Sequence, residues 1–154
     1  MLKINLTAEK KTKEFDLMRN LTICISGILF MFSLLQNAYY IQGMKESIGS
    51  FGFIAFLLGW MDLSGAGICW LANPLLVLSW VLMIKSRNKI ALACSALAVV
   101  FSLFFLSYEN IIANEGGANS PIIAYDYGYW FWISSCISNF IGTCILLSKS
   151  RKSC

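Results

Sequence analysis

The chain contains no histidine. Histidine changes charge near neutral pH and supplies the commonest metal-binding nitrogen, so its absence weakens histidine-based catalytic and metal schemes. Charge is scarce as well: 13% of residues are Asp, Glu, Lys or Arg, where an ordinary soluble domain carries about a quarter. The six cysteines (Cys24, Cys69, Cys94, Cys136, Cys144 and Cys154) form no CxxC pair and no other metal-ligand spacing. They read as small apolar residues within helices. Gly43, Gly49, Gly52, Gly65 and Gly67 match neither GxxxxGK[ST] nor GxGxxG, which removes the familiar phosphate cradles. There is no internal repeat and no low-complexity segment. No cofactor and no metal is expected.

What the chain has in abundance is apolar sequence. Of its 154 residues, 58% are hydrophobic, and the mean hydropathy is +0.68. One water-soluble core of this size cannot hide so much apolar surface, so the long runs point to a bilayer. The expected fold is all-α: a polytopic membrane protein, a four-transmembrane-helix bundle with a short re-entrant or interfacial outer helix. Residues 1–20 read as a basic cytoplasmic tail or a short helix on the membrane surface, and the apolar run that follows reads as a signal anchor. The membrane domain is expected over 21–148, with spans at about 21–41, 67–84, 90–107 and 128–148. Twenty residues of helix cover about 30 Å, the thickness of the hydrocarbon core. The apolar stretch 51–60 is too short to cross and reads as the outer helix. Pro74 either kinks the second span or marks its true start. Residues 109–127 read as a loop, and 149–154 as a second tail.

Charge placement sets the orientation. Lys3, Lys10, Lys11, Lys13 and Arg19 precede the first span. Lys85, Arg87 and Lys89 share the tight turn between the second and third spans, and Lys149, Arg151 and Lys152 follow the fourth. Only Lys45 lies elsewhere, so the positive-inside rule places both termini in the cytoplasm. The basic residues are split among three clusters rather than forming one face, so nucleic acid is not an expected partner.

Small residues mark the expected packing faces: Ala91, Ser95, Ala98 and Ser102 on the third span, and Ser134, Ser138 and Gly142 on the fourth. Polar residues inside a membrane face the bundle or a wet cavity. Gln36, Asn37, Asp62 and Asn73 are expected to share an outer polar layer, with Asn139 deeper. They read either as inter-helical hydrogen bonds or as an outward-facing pocket. Glu109, Glu115, Asp126, Tyr129 and Trp130 read either as a solvated rim or as an outer docking surface. Cys69 and Cys136 fall near the outer ends of their helices, where a disulfide could join them; spacing does not decide it.

Three segments carry a resemblance: Gly59-Trp60, Trp70-Leu71-Ala72-Asn73-Pro74 and Gly128-Tyr129-Trp130-Phe131-Trp132. Over residues 50–145 this resembles small four-span bacterial inner-membrane proteins with a GW…WLANP…GYWxW pattern. The resemblance implies an inner-membrane location and four spans, and brings no activity or catalytic residue. The functional expectation is a non-enzymatic partner-binding or accessory protein, with the lipid bilayer and a membrane protein or a second copy of the chain as partners. An immunity-type role against a membrane-active toxin is one form of it. The alternative is a small transporter or channel subunit.

Overall fold

A computed structural model describes residues 2–42, 50–61, 65–112 and 119–151, with side-chain surroundings from residue 11 onward, excepting 112, 119 and 151. Its helices are α1 (Leu2–Leu34), α2 (Gly52–Leu58), α3 (Ala72–Ile84), α4 (Asn88–Phe104) and α5 (Tyr127–Arg151). Its strands are β1 (Tyr39–Ile41), β2 (Asn110–Ile112) and β3 (Asn119–Tyr125). A 3-10 turn, Gly59–Met61, follows α2, and a longer one, Gly65–Leu71, leads into α3. Among the described residues four helical runs are long and apolar enough to cross a membrane: Lys11–Leu34, Gly65–Ile84, Asn88–Ser107 and Tyr127–Ser150. The protein is an all-α multi-pass bundle with a short apolar helical segment, Gly52–Met61, beside it.

The first span differs from expectation at both ends. Its helix continues back through the basic tail to Leu2, and it stops at Leu34 rather than at residue 41. The segment after it turns into β1 because its main chain is claimed from two sides. Gly52 N–H donates to the Gln36 carbonyl (2.9 Å) and Gly128 N–H to the Asn37 carbonyl (2.9 Å). Ala38 donates to Ser50 (2.7 Å) and accepts from Asp126 (3.0 Å). Both glycines are required by this close approach. A Cβ on Gly128 would lie 2.6 Å from the Asn37 oxygen, and one on Gly52 would strike the Ser33 carbonyl.

The supposed loop 109–127 also contains structure. β3 lies between β1 and β2, antiparallel to both. Tyr40 pairs with Ala124 and Ile41 with Ile122, so Ile123 is the extra residue of a bulge and is exposed. The sheet caps the end of the bundle where α1 stops and α5 begins. At the opposite end, Lys149 Nζ reaches Met18 Sδ (2.8 Å), and Met83, Ala91 and Leu146 form a small core with Phe15 and Met18. Lys11, Lys13 and Arg19 of α1, Lys85 and Arg87 of the α3–α4 turn, and Lys89 at the start of α4 belong to this basic end by position along the chain.

Inside the bundle the contacts are small and polar. Ser26 Oγ of α1 donates to the Ser135 carbonyl (3.0 Å), and Ser135 Oγ of α5 donates back to Ser26 O (2.8 Å). Trp80 Nε1 of α3 joins them at Ser26 Oγ (3.1 Å). Nearer the basic end, Asn139 Nδ2 donates to Ser79 Oγ (2.9 Å), which donates to the Ala91 carbonyl (3.0 Å), linking α5, α3 and α4. In hydrocarbon such inter-helical bonds contribute about 0.6–2 kcal/mol each. The expected small face of α4 is buried throughout. The one on α5 is displaced: Ser134 is exposed and Ser138 half-buried, while Ser135, Asn139 and Thr143 are fully buried. Only Gly142 of the expected stripe is buried, where an added Cβ would run into Thr22 of α1.

Candidate functional site

Between the sheet end of α1, α2, the 3-10 segment Gly65–Leu71 and the start of α5 lies a cavity of about 260 Å³. Its lining is mostly apolar and rich in rings, including Phe30, Phe56, Trp70, Phe105, Tyr129 and Trp132. Two aromatic groups build it. Phe105, Tyr129 and Trp132 meet at centroid distances of 5.8, 6.0 and 6.5 Å. Phe30 meets Phe56 edge to face at 5.6 Å. Edge-to-face and tilted pairs of this spacing hold aromatic side chains in fixed orientations.

Local sequence explains how each wall is set. Pro74 is the third residue of α3, so its missing N–H falls in the first turn, where main-chain donors lack helical partners. It marks the start of α-helix rather than a kink within it, and the chain above it runs as a 3-10 turn. Trp70 in that turn donates Nε1 to the Phe56 carbonyl (2.7 Å), tying it to α2. Its ring covers Gly59, where a Cβ would approach Trp70 Cδ1 to 2.5 Å. Tyr129 donates its hydroxyl to the Ser102 carbonyl (2.9 Å) and is 1% exposed.

Asn73 lies at the first turn of α3, eight residues after Gly65 and eleven before Ile84. That places it nearer the middle of its helical run than the expected outer third. It is 6% exposed and lines the cavity. Its Oδ1 accepts from Trp132 Nε1 (2.8 Å). An indole N–H can only donate, so this contact fixes the carboxamide orientation and directs Nδ2 elsewhere. Among the described residues no partner for Nδ2 is found.

The other members of the expected polar layer do not join Asn73. Gln36 is exposed and Asn37 half-buried, and both act through main-chain carbonyls that anchor α2 and α5. Asn139 is fully buried in the Ser79 node, where its Oδ1 has no partner among the described residues, and it does not line the cavity. Asp62 lies outside the described residues. A layer of carboxamides is thus replaced by an apolar cavity with one amide donor.

The expected docking surface also comes apart. Glu109 and Trp130 are exposed. Asp126 is half-buried at the N-terminus of α5, a favourable place for negative charge, and its Oδ2 accepts from the Tyr40 hydroxyl (2.7 Å). Tyr129 is a buried wall of the cavity rather than a surface residue, and Glu115 lies outside the described residues. Cys69 and Cys136 are both buried free thiols. Burial raises the Tyr39 phenol from its ordinary value of 10.0 to about 12. Burial, and then the neighbouring Cys69, raises Tyr125, whose hydroxyl is directed at the Phe105 and Tyr108 carbonyls (3.2 and 3.4 Å).

The sequence did contain a signal for the cavity, though not among its polar residues. Gly59, Trp70, Asn73, Gly128, Tyr129 and Trp132 come from the three separate aromatic-glycine segments, and all six line this one space. No family model, no curated protein and no solved structure matches the chain.

Proposed function

We propose that this protein is a non-enzymatic binding or accessory protein of a bacterial inner membrane, and that it takes hold of its partner through the cavity at the sheet end. The observation that carries the reading is the convergence of three separate segments on one apolar space. A bundle held only by its own packing does not need an open volume there, because cavities forfeit contact energy. The Asn73 amide supports recognition over simple looseness, since it lines the cavity with its Oδ1 held by Trp132 and its Nδ2 left to donate there. The lack of histidine and of a nucleophile motif favours binding over catalysis. Grouping of Lys and Arg at one end supports cytoplasmic termini and an outward-facing cavity.

An immunity-type protein that intercepts a membrane-active toxin from the outer face is one form of this reading. The transporter alternative draws less support, because the cavity is lined by rings rather than by the carboxamides a polar path would use. The test is photo-crosslinking in native membranes with p-azidophenylalanine at Phe56, inside the cavity, and at Ile141, on a lipid-facing surface. The reading predicts an adduct at position 56 that is absent at 141. Identical adducts of bulk lipid at both positions would contradict it.

A further inference from the structure

We propose that the occupant is a flat, uncharged ring bearing a carbonyl oxygen, the chemistry of a membrane-soluble quinone head group, held by a hydrogen bond from Asn73 Nδ2. This rests on the reading of the cavity as a binding site and specifies what binds there. Four observations lead to it. Asn73 is 6% exposed as a residue and lines the cavity, and with Oδ1 held by Trp132 its Nδ2 has no acceptor among the described residues, so an acceptor oxygen in the cavity would complete it. Among the described residues the lining holds no Asp, Glu, Lys or Arg, so an ionised ligand would be buried without a counter-charge. The rings of Phe105, Tyr129, Trp132, Phe30 and Phe56 offer offset and edge contacts that a flat ring uses and a saturated chain does not.

The fourth observation concerns depth and access. Lipid ester carbonyls sit at the boundary of the hydrocarbon core. Asn73 lies near the middle of its helical run, so the oxygen it binds must be carried deep, at the head of the ligand. The cavity wall formed by α2 has no buried residue and exposes Phe53, Leu57 and Leu58. An apolar helix this short does not span the bilayer, and on this reading its exposed face meets lipid. A molecule dissolved in lipid therefore reaches this end without crossing water, and its tail stays in the membrane.

The test uses the full chain in phosphatidylcholine nanodiscs, with exposed tryptophans removed by Trp60→Phe and Trp130→Phe. Menadione, a carbonyl-bearing naphthoquinone that quenches nearby tryptophan, is titrated against 2-methylnaphthalene, which lacks the oxygens. Saturable quenching by menadione is expected, weakened about fivefold to tenfold by Asn73→Ala. Binding of 2-methylnaphthalene, read by competition, should be weaker and indifferent to this change. Thermal unfolding of each variant separates lost binding from lost fold. Equal affinity for both probes, unmoved by Asn73, would overturn the hydrogen bond while leaving the cavity a binding site. Displacement of 2-methylnaphthalene by monoolein but not by menadione would overturn the ring in favour of an acyl chain. Failure of menadione together with a protein adduct at position 56 would overturn the ring and keep the binding role. Failure of both probes and of the crosslink would remove the binding reading itself.

Discussion

Tyr39 shows what the sheet end does to a single ionisable group. The side chain is 9% exposed in β1, and its pKa rises from 10.0 to about 12 because the phenolate is penalised by burial. The unfolded chain therefore releases this proton first. Stability from the neutral phenol is fully present below pH 10 and is lost as pH rises from 10 towards 12. The loss should reach about 2–3 kcal/mol. Unfolding measured across that range should steepen for the wild type relative to Tyr39→Phe; parallel profiles would contradict it. At this scale the sequence was legible only in part. Asn73 and Asn139 are buried as their apolar surroundings implied. Gln36 and Asn37 mislead because composition cannot separate a side chain that recognises from a residue whose main-chain carbonyl does the work. Tyr129 misleads because an aromatic at a helix start reads as a membrane-edge residue, whereas its hydroxyl is satisfied inside at Ser102.

The helices were readable as elements because hydrophobic runs report length, but their ends were not. Leu35, Ala38, Tyr39, Tyr40 and Ile41 continue the apolar run after α1 has ended, so hydropathy cannot register the change to strand. The sheet escaped notice for similar reasons. β1 and β2 have three residues each, and the central strand carries Pro121, which argues against a strand on composition. The hairpin between α3 and α4 is a case where geometry adds what sequence lacked. Ser86 has φ of 57°, Arg87 N–H donates to the Leu82 carbonyl (2.8 Å) and Ser86 N–H to that of Met83 (3.0 Å). This is a Schellman ending without the glycine that usually occupies the left-handed position. A side chain there costs about 1–2 kcal/mol, part of which glycine returns through its freer unfolded chain. Ser86→Gly should therefore stabilise the protein by about 0.5–1 kcal/mol in denaturant unfolding, and Ser86→Val should destabilise it. A neutral or harmful Ser86→Gly would show that the turn is set by something else.

As a whole, the molecule is inverted relative to a water-soluble protein. Ser26, Ser33, Ser79, Ser95, Ser135, Asn139 and Thr143 are buried, while Ile25, Ile28, Leu97, Val100, Ile137 and Ile141 are exposed. Water would penalise that arrangement through the exposed apolar surface, and hydrocarbon favours it because polar groups find partners only inside. The four long apolar runs made the membrane class legible from composition alone, and this inversion agrees with it. The cavity was not legible in that way, because it depends on three separate segments, the third more than fifty residues beyond the second, meeting at one end. Its proposed exposure to the outer side depends in turn on an even number of crossings with the basic clusters on one face. The most direct measurement is a pair of alkaline phosphatase fusions in a bacterial host, one at residue 118 and one after residue 151. Activity at 118 and none after 151 is predicted. Activity in the same compartment for both would contradict the four-crossing account and the outward placement of the cavity with it.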